Sequence, residues 1–276
     1  LLSPDKEPGV FTGSAFGFDE VGAIRLEAHV ADGDYLGTGD VTGTRSGIVG
    51  RFTPSRFEVT ANAPRWQSGC ALGAFTWAGQ PLGFVAGAEP ILTVQAVNAA
   101  GGATWNYAGT WWRLTNASLA NRTYSIDRGS LDVSGLPPTT QDPVVTGQTG
   151  GVGTLRFSAG DGVSVERQPS FAPFDAEIEL AIDVLDLDGV AWPSNPFRVG
   201  GTQPGTGIAF DVSKRIQLGR LRFENAAGSE LLDLSMRLGT QVFDGTAFVD
   251  DDDDSCSLVR ETHLALVRTP ATLATD

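Results

Sequence analysis

The sequence predicts an all-β fold: two or three β-sandwich modules of the immunoglobulin-like kind, joined by long loops. Three observations predict it. Apolar and polar residues alternate with a period of two in one segment after another, the pattern of a strand with one face in a core and the other in water. Turn-forming pairs (DG, GG, PP, GT) recur at short intervals between those segments. No stretch of about twelve residues sustains a 3.6-residue apolar period free of Gly and Pro, so helix signals are poor.

The elements follow in chain order. In IRLEAHV, Ile24, Leu26, Ala28 and Val30 share one face while Arg25, Glu27 and His29 share the other. ILTVQAV (91–97) alternates less cleanly. In EIELAIDV, Ile178, Leu180, Ile182 and Val184 alternate with Glu177, Glu179, Ala181 and Asp183. IQLGRLRFEN breaks parity: Ile216 and Leu218 share a face, and Leu221 and Phe223 fall on the other. A β-bulge at Gly219 would return both pairs to one core. GSELLDLSMRL (228–238) is the best helical candidate, but Leu232, Leu234, Met236 and Leu238 alternate and Gly239 follows, so a strand is expected. THLALVR (262–268) closes the series. SGLPPTTQDPVVTGQTGGVG (134–153) is a long loop or connector. The expected organisation is a partial module at 1–56, a Trp-rich sandwich at 57–170 and a C-terminal sandwich at 171–276.

Charge narrows the function classes. The 33 acidic and 19 basic residues give a net charge of −14, and no Lys/Arg cluster supplies the basic face a nucleic-acid binder needs. An anionic membrane surface is disfavoured for the same reason. No apolar run reaches the roughly 18–20 residues that span a bilayer, so no membrane insertion is expected in this segment. No signal peptide opens the chain, and LLSPDKEPGVFTG reads like the middle of a longer polypeptide. The two cysteines, Cys70 and Cys256, lie far apart with no CxxC and no neighbouring histidine, so a zinc site is not expected. They either pair or stand as buried thiols, and pairing fits a secreted chain.

The segment LGRLRFENAAGSELLDLSMRLGTQVFDGTAFVDDDDDSCS (218–257) resembles the C-terminal domain of uncharacterised function found in MshQ-like proteins. These are large surface proteins encoded with the mannose-sensitive haemagglutinin (MSHA) type IV pilus. VGRFTPSRFEVT (49–60), Cys70 with FTWAGQPL (75–82), and ATWNYAGTW (103–111) are similar to the same family, so the resemblance runs over most of the chain. It implies an extracellular or cell-surface bacterial protein linked to pilus assembly or adhesion, and it supplies no catalytic residue. The chain departs from the family in carrying five acidic residues before Cys256 instead of one or two.

Three constellations are candidate sites. The aspartate run VDDDDDSC reads as a solvated acidic turn leading into Cys256; Asp250, Asp252 and Asp254 would share a strand face and are the members able to offer oxygens to Ca²⁺. DVLDLDGVAW reads as an Asp-Gly turn, with Asp183, Asp186 and Asp188 as the alternative calcium ligands, though EF-hand spacing is missing. In TWNYAGTWWRL, core packing is the ordinary role of aromatics, but Trp105, Tyr107 and Trp111 would form a glycan platform if exposed. Catalysis has little to build on: the histidines are His29 and His263, and no GxSxG, HExxH or P-loop motif occurs. The expected function is that of a non-enzymatic surface or pilus-associated structural protein or adhesin, with other surface or pilus proteins, or itself, as partners. A carbohydrate-binding module and a self-associating filament subunit joined by strand addition are the alternatives.

Overall fold

The computed structural model describes residues 3–4, 10–14, 16–72, 74–158, 162–200, 207–208, 214–229 and 231–265. Its regular structure is β, apart from short 3-10 turns such as Gly109–Trp111 and Glu261–His263. The strands form several separate sheets that pack as sandwiches, as the alternation predicts.

The larger core lies between two sheets. One runs in the order Val144–Gly147, Val152–Arg156, Ile91–Val97, Arg56–Ala61, antiparallel throughout. The other runs Ala120–Ile126, Ile178–Asp183, Phe197–Gly200, Gly207–Ile208. Phe57, Leu92, Val94, Ala96 and Leu155 of the first meet Leu180, Ile182 and Val199 of the second, with Tyr107 and Leu114 filling from the connecting chain. Burying side chains of this size stabilises by about 1.5–3 kcal/mol each. The alternation in EIELAIDV holds for Ile178, Leu180, Ile182 and Val184, all buried. Glu179, expected in water, is buried as well and is ion-paired with Arg198, which is how a carboxylate becomes tolerable there.

A second core packs the sheet Leu131–Asp132, Val163–Val165, Pro81–Phe84, Trp66–Gln67 against the sheet Phe174–Ala176, Lys214–Gln217, Phe75–Trp77. Trp66 stacks on Phe84 with ring centroids 4.1 Å apart. Both cores draw strands from either side of residue 170: Ala120–Ile126 pairs with Ile178–Asp183, and Phe75–Trp77 pairs with Lys214–Gln217. The module division expected at 170/171 therefore has no counterpart in the pairing. The first 56 residues supply two two-stranded ladders, Ser3–Pro4 with Phe11–Thr12 and Gly22–Ile24 with Val49–Phe52, and Val21 enters the larger core.

Several expected strands are otherwise. In IRLEAHV only Ile24 belongs to a strand, and Leu26 and Ala28 are exposed loop residues. In LDLSMRL, Leu232, Leu234 and Met236 lie exposed in a loop and the strand begins at Leu238. THLALVR starts in the Glu261–His263 turn, and from residue 266 onward it lies outside the described residues. At Gly219 there is no bulge. The chain leaves one sheet at Gln217 and enters another at Gly219, leaving Ile216 and Leu218 buried while Leu221 and Phe223 are exposed. A Cβ on residue 219 would sit 2.5 Å from the Trp77 ring, so the crossing needs glycine.

The new sheet is a small C-terminal unit: Gly219–Phe223, Leu238–Phe243 and Phe248–Asp250, all antiparallel. Among the described residues, three ties hold it to the body. Arg167 donates to the Gly219 carbonyl at 2.7 Å, the Phe243 amide donates to the Leu218 carbonyl at 2.9 Å, and a disulfide joins Cys70 to Cys256.

Candidate functional site

The DVLDLDGVAW segment is a tight loop whose acids are already occupied. The buried Asp186 carboxylate accepts the amides of Asp188 (2.8 Å) and Val190 (2.9 Å) and the Tyr107 hydroxyl at 2.6 Å. Gly189, at φ +83°, makes the left-handed turn such a loop requires. Asp188 is ion-paired with Arg51 and has Arg113 at 4.0 Å, while Asp183 accepts from the Asn121 amide. These carboxylates organise a turn and an arginine; they are not turned towards a shared centre.

The aspartate run behaves similarly. The strand ends at Asp250, whose carboxylate accepts from Gln241 at 2.8 Å, so the alternation that would align Asp250, Asp252 and Asp254 does not continue. The remaining aspartates form a turn. Asp251 accepts the Asp253 amide at 3.2 Å, and Asp254 accepts the amides of Cys256 (3.0 Å) and Ser257 (2.9 Å). Burial, and then the charges of Asp254, Asp253 and Asp252, push the Asp251 carboxyl above its ordinary range against the pull of the Asp253 amide. At Asp254 burial also pushes upward, but the bonds from Ser257 and Cys256 outweigh it and hold the group low. Among the described residues, no three His, Cys, Asp or Glu side chains are grouped so as to hold a metal ion. The calcium ligand set expected at Asp183, Asp186, Asp188, Asp250, Asp252 and Asp254 is therefore not assembled. The turn instead delivers Cys256 to Cys70, with Cα atoms 5.4 Å apart across 186 residues of sequence.

The aromatic segment divides. It is a turn-rich connection instead of a strand, so Trp105 and Tyr107 do not share a face. Tyr107 is wholly buried against Phe57 and Trp112, and its hydroxyl is held well above the usual phenol range by burial and by the bond to Asp186. It is not part of a platform. Trp105, by contrast, is 70% exposed, and Trp111 is half-buried against the larger core. Both line an open groove of about 560 Å³ together with Phe18, Ala23, Asn106 and Thr110. Glu20 fixes one side of it by accepting the amides of Trp105 (2.9 Å) and Asn106 (3.0 Å), and Arg51 stands over the Trp111 ring at 5.6 Å. Asn106 and Thr110 fall inside the segment singled out by its aromatics. Phe18, Glu20 and Arg51 arrive from distant parts of the chain, and no local signal marks them.

Comparison with known proteins bears on most of the chain. Residues 20–205 match the family model described as DUF6701, third domain, and residues 217–276 match that described as DUF6701, fourth domain. No curated protein and no solved structure matches. The Cys70–Cys256 disulfide joins the one matched stretch to the other.

Proposed function

The chain belongs to the DUF6701 family, of which it carries the third and fourth domains, and from that premise we propose a non-enzymatic role at the bacterial cell surface. In this reading it is a structural or adhesive component of the MshQ-like type, working beside the MSHA type IV pilus and contacting other surface or pilus proteins. The observation that carries the proposal is the Cys70–Cys256 disulfide. Such bonds persist in oxidising compartments and are rare where glutathione keeps thiols reduced. Here the bond fastens a small, solvent-rich sheet to a body with two packed cores, which suits a chain that must hold its shape outside the cell. Sandwiches carry the load, and loops at their ends present the contact surface. No helix among the described residues is long and apolar enough to cross a membrane.

The test is labelling of intact cells of the organism that makes the protein with a membrane-impermeant biotin reagent. Labelling before lysis, and recovery with the pilus-bearing envelope fraction, is the expected result. Labelling only after lysis would end the proposal.

A further inference from the structure

We infer that the groove bounded by Phe18, Trp105 and Trp111 binds a neutral pyranose sugar. This deepens the adhesive reading by giving the contact surface a ligand class, and its test does not depend on where the protein resides.

Trp105 is the first reason. An indole normally buries a large area, about 150–250 Å², yet this one is 70% exposed. It is exposed without being loose. The ring lies against Gly150, where a Cβ would come within 3.3 Å of it, and its own amide is tied to the Glu20 carboxylate. The second indole is fixed as well. Trp111 packs on the larger core and lies under Arg51, which is itself held by Asp188 in the Asp186–Val190 loop. A rigid aromatic surface of this kind loses little conformational entropy when a ligand settles on it.

The second reason is charge. The protein carries −14, but among the described residues the groove's walls hold no charged side chain, and the two beside it are engaged: Glu20 by the Trp105 and Asn106 amides, Arg51 by Asp188. Its polar groups are the Asn106 amide and the Thr110 hydroxyl, both neutral, able to donate as well as accept. An anionic ligand would meet the repulsion of the whole molecule, and a cationic one would find the adjoining Glu20 carboxylate already accepting two backbone amides. The complement is a neutral molecule with one apolar face for an indole and a rim of hydroxyls for an amide and an alcohol. A hexopyranose has that construction. The groove's volume of about 560 Å³ falls inside the roughly 300–1,000 Å³ typical of small-ligand sites.

The experiment applies the whole chain to an array of neutral glycans, with sialylated and sulfated glycans and proline-rich peptides beside them. The best neutral glycan is then titrated against tryptophan fluorescence. Retention on neutral glycans is expected, with an emission change on titration. Trp105→Ala should weaken binding by roughly tenfold or more, as loss of a central aromatic anchor does, with an unchanged unfolding midpoint. Should Trp105→Ala fail to fold, Trp105→Phe decides: its smaller ring should weaken binding several-fold and shrink the emission change to the part that Trp111 supplies. Absence of any neutral glycan at millimolar concentration, retention of charged glycans or peptides alone, or binding indifferent to both variants would overturn the inference.

Discussion

The Tyr107 hydroxyl lies at the centre of a small polar network inside the larger core. It donates to Asp186 and accepts from the Arg113 amide at 3.3 Å, so one side chain joins the aromatic connection to the Asp186–Val190 loop. Tyr107→Phe keeps the ring contacts with Phe57 and Trp112 but leaves the buried carboxylate one donor short. A hydrogen bond to a charged group contributes about 1.5–3 kcal/mol, so a loss of that size in urea unfolding is expected; a neutral result would show that the network does not matter. Part of this was legible in advance. The Asp186-Leu187-Asp188-Gly189 spacing points to a turn, and a turn is what it makes. The choice between Tyr107 and Trp105 as the exposed ring was not legible, because it depends on Asp186 waiting inside the core some eighty residues later, at a sequence separation of 79.

At the scale of the element, alternation reports strand competence and not strand partnership. EIELAIDV and ILTVQAV meet opposing sheets and bury their apolar faces. LDLSMRL has the same rhythm, yet Leu232, Leu234 and Met236 stay exposed in the loop before Leu238. The aspartate turn that follows this sheet carries a built-in repulsion. Its sign follows from Asp251, whose carboxyl is raised by burial and by Asp254, Asp253 and Asp252. A raised carboxyl favours the protonated form in the fold, so stability is gained as pH falls towards the ordinary aspartate range near 4 and lost again as pH rises through the folded value. Asp251→Asn is therefore expected to raise the unfolding temperature at pH 7, with the gain fading as the pH is lowered to about 4. A gain that is flat with pH, or a loss at pH 7, would contradict this account of the turn.

For the whole molecule, the β class was plain from the sequence, while the way the chain closes on itself was not. Strands after residue 170 complete sheets begun before residue 130, so an apparent module boundary lies inside shared cores. Local patterns carry no record of such long-range pairing. The pairing of Cys70 with Cys256 was one of two open readings, and the fold decides it by bringing the aspartate turn to the bridge between Cys70 and Phe75. Closing a loop that long contributes on the order of 5 kcal/mol in the chain-entropy model. That bond makes one object of the body and the C-terminal sheet, and the proposed surface role rests on it. Peptide mass mapping without reductant, on protein recovered from an oxidising compartment, tests it most directly. The account predicts a single cross-linked pair of peptides containing Cys70 and Cys256; recovery of both cysteines as alkylated free thiols would contradict it.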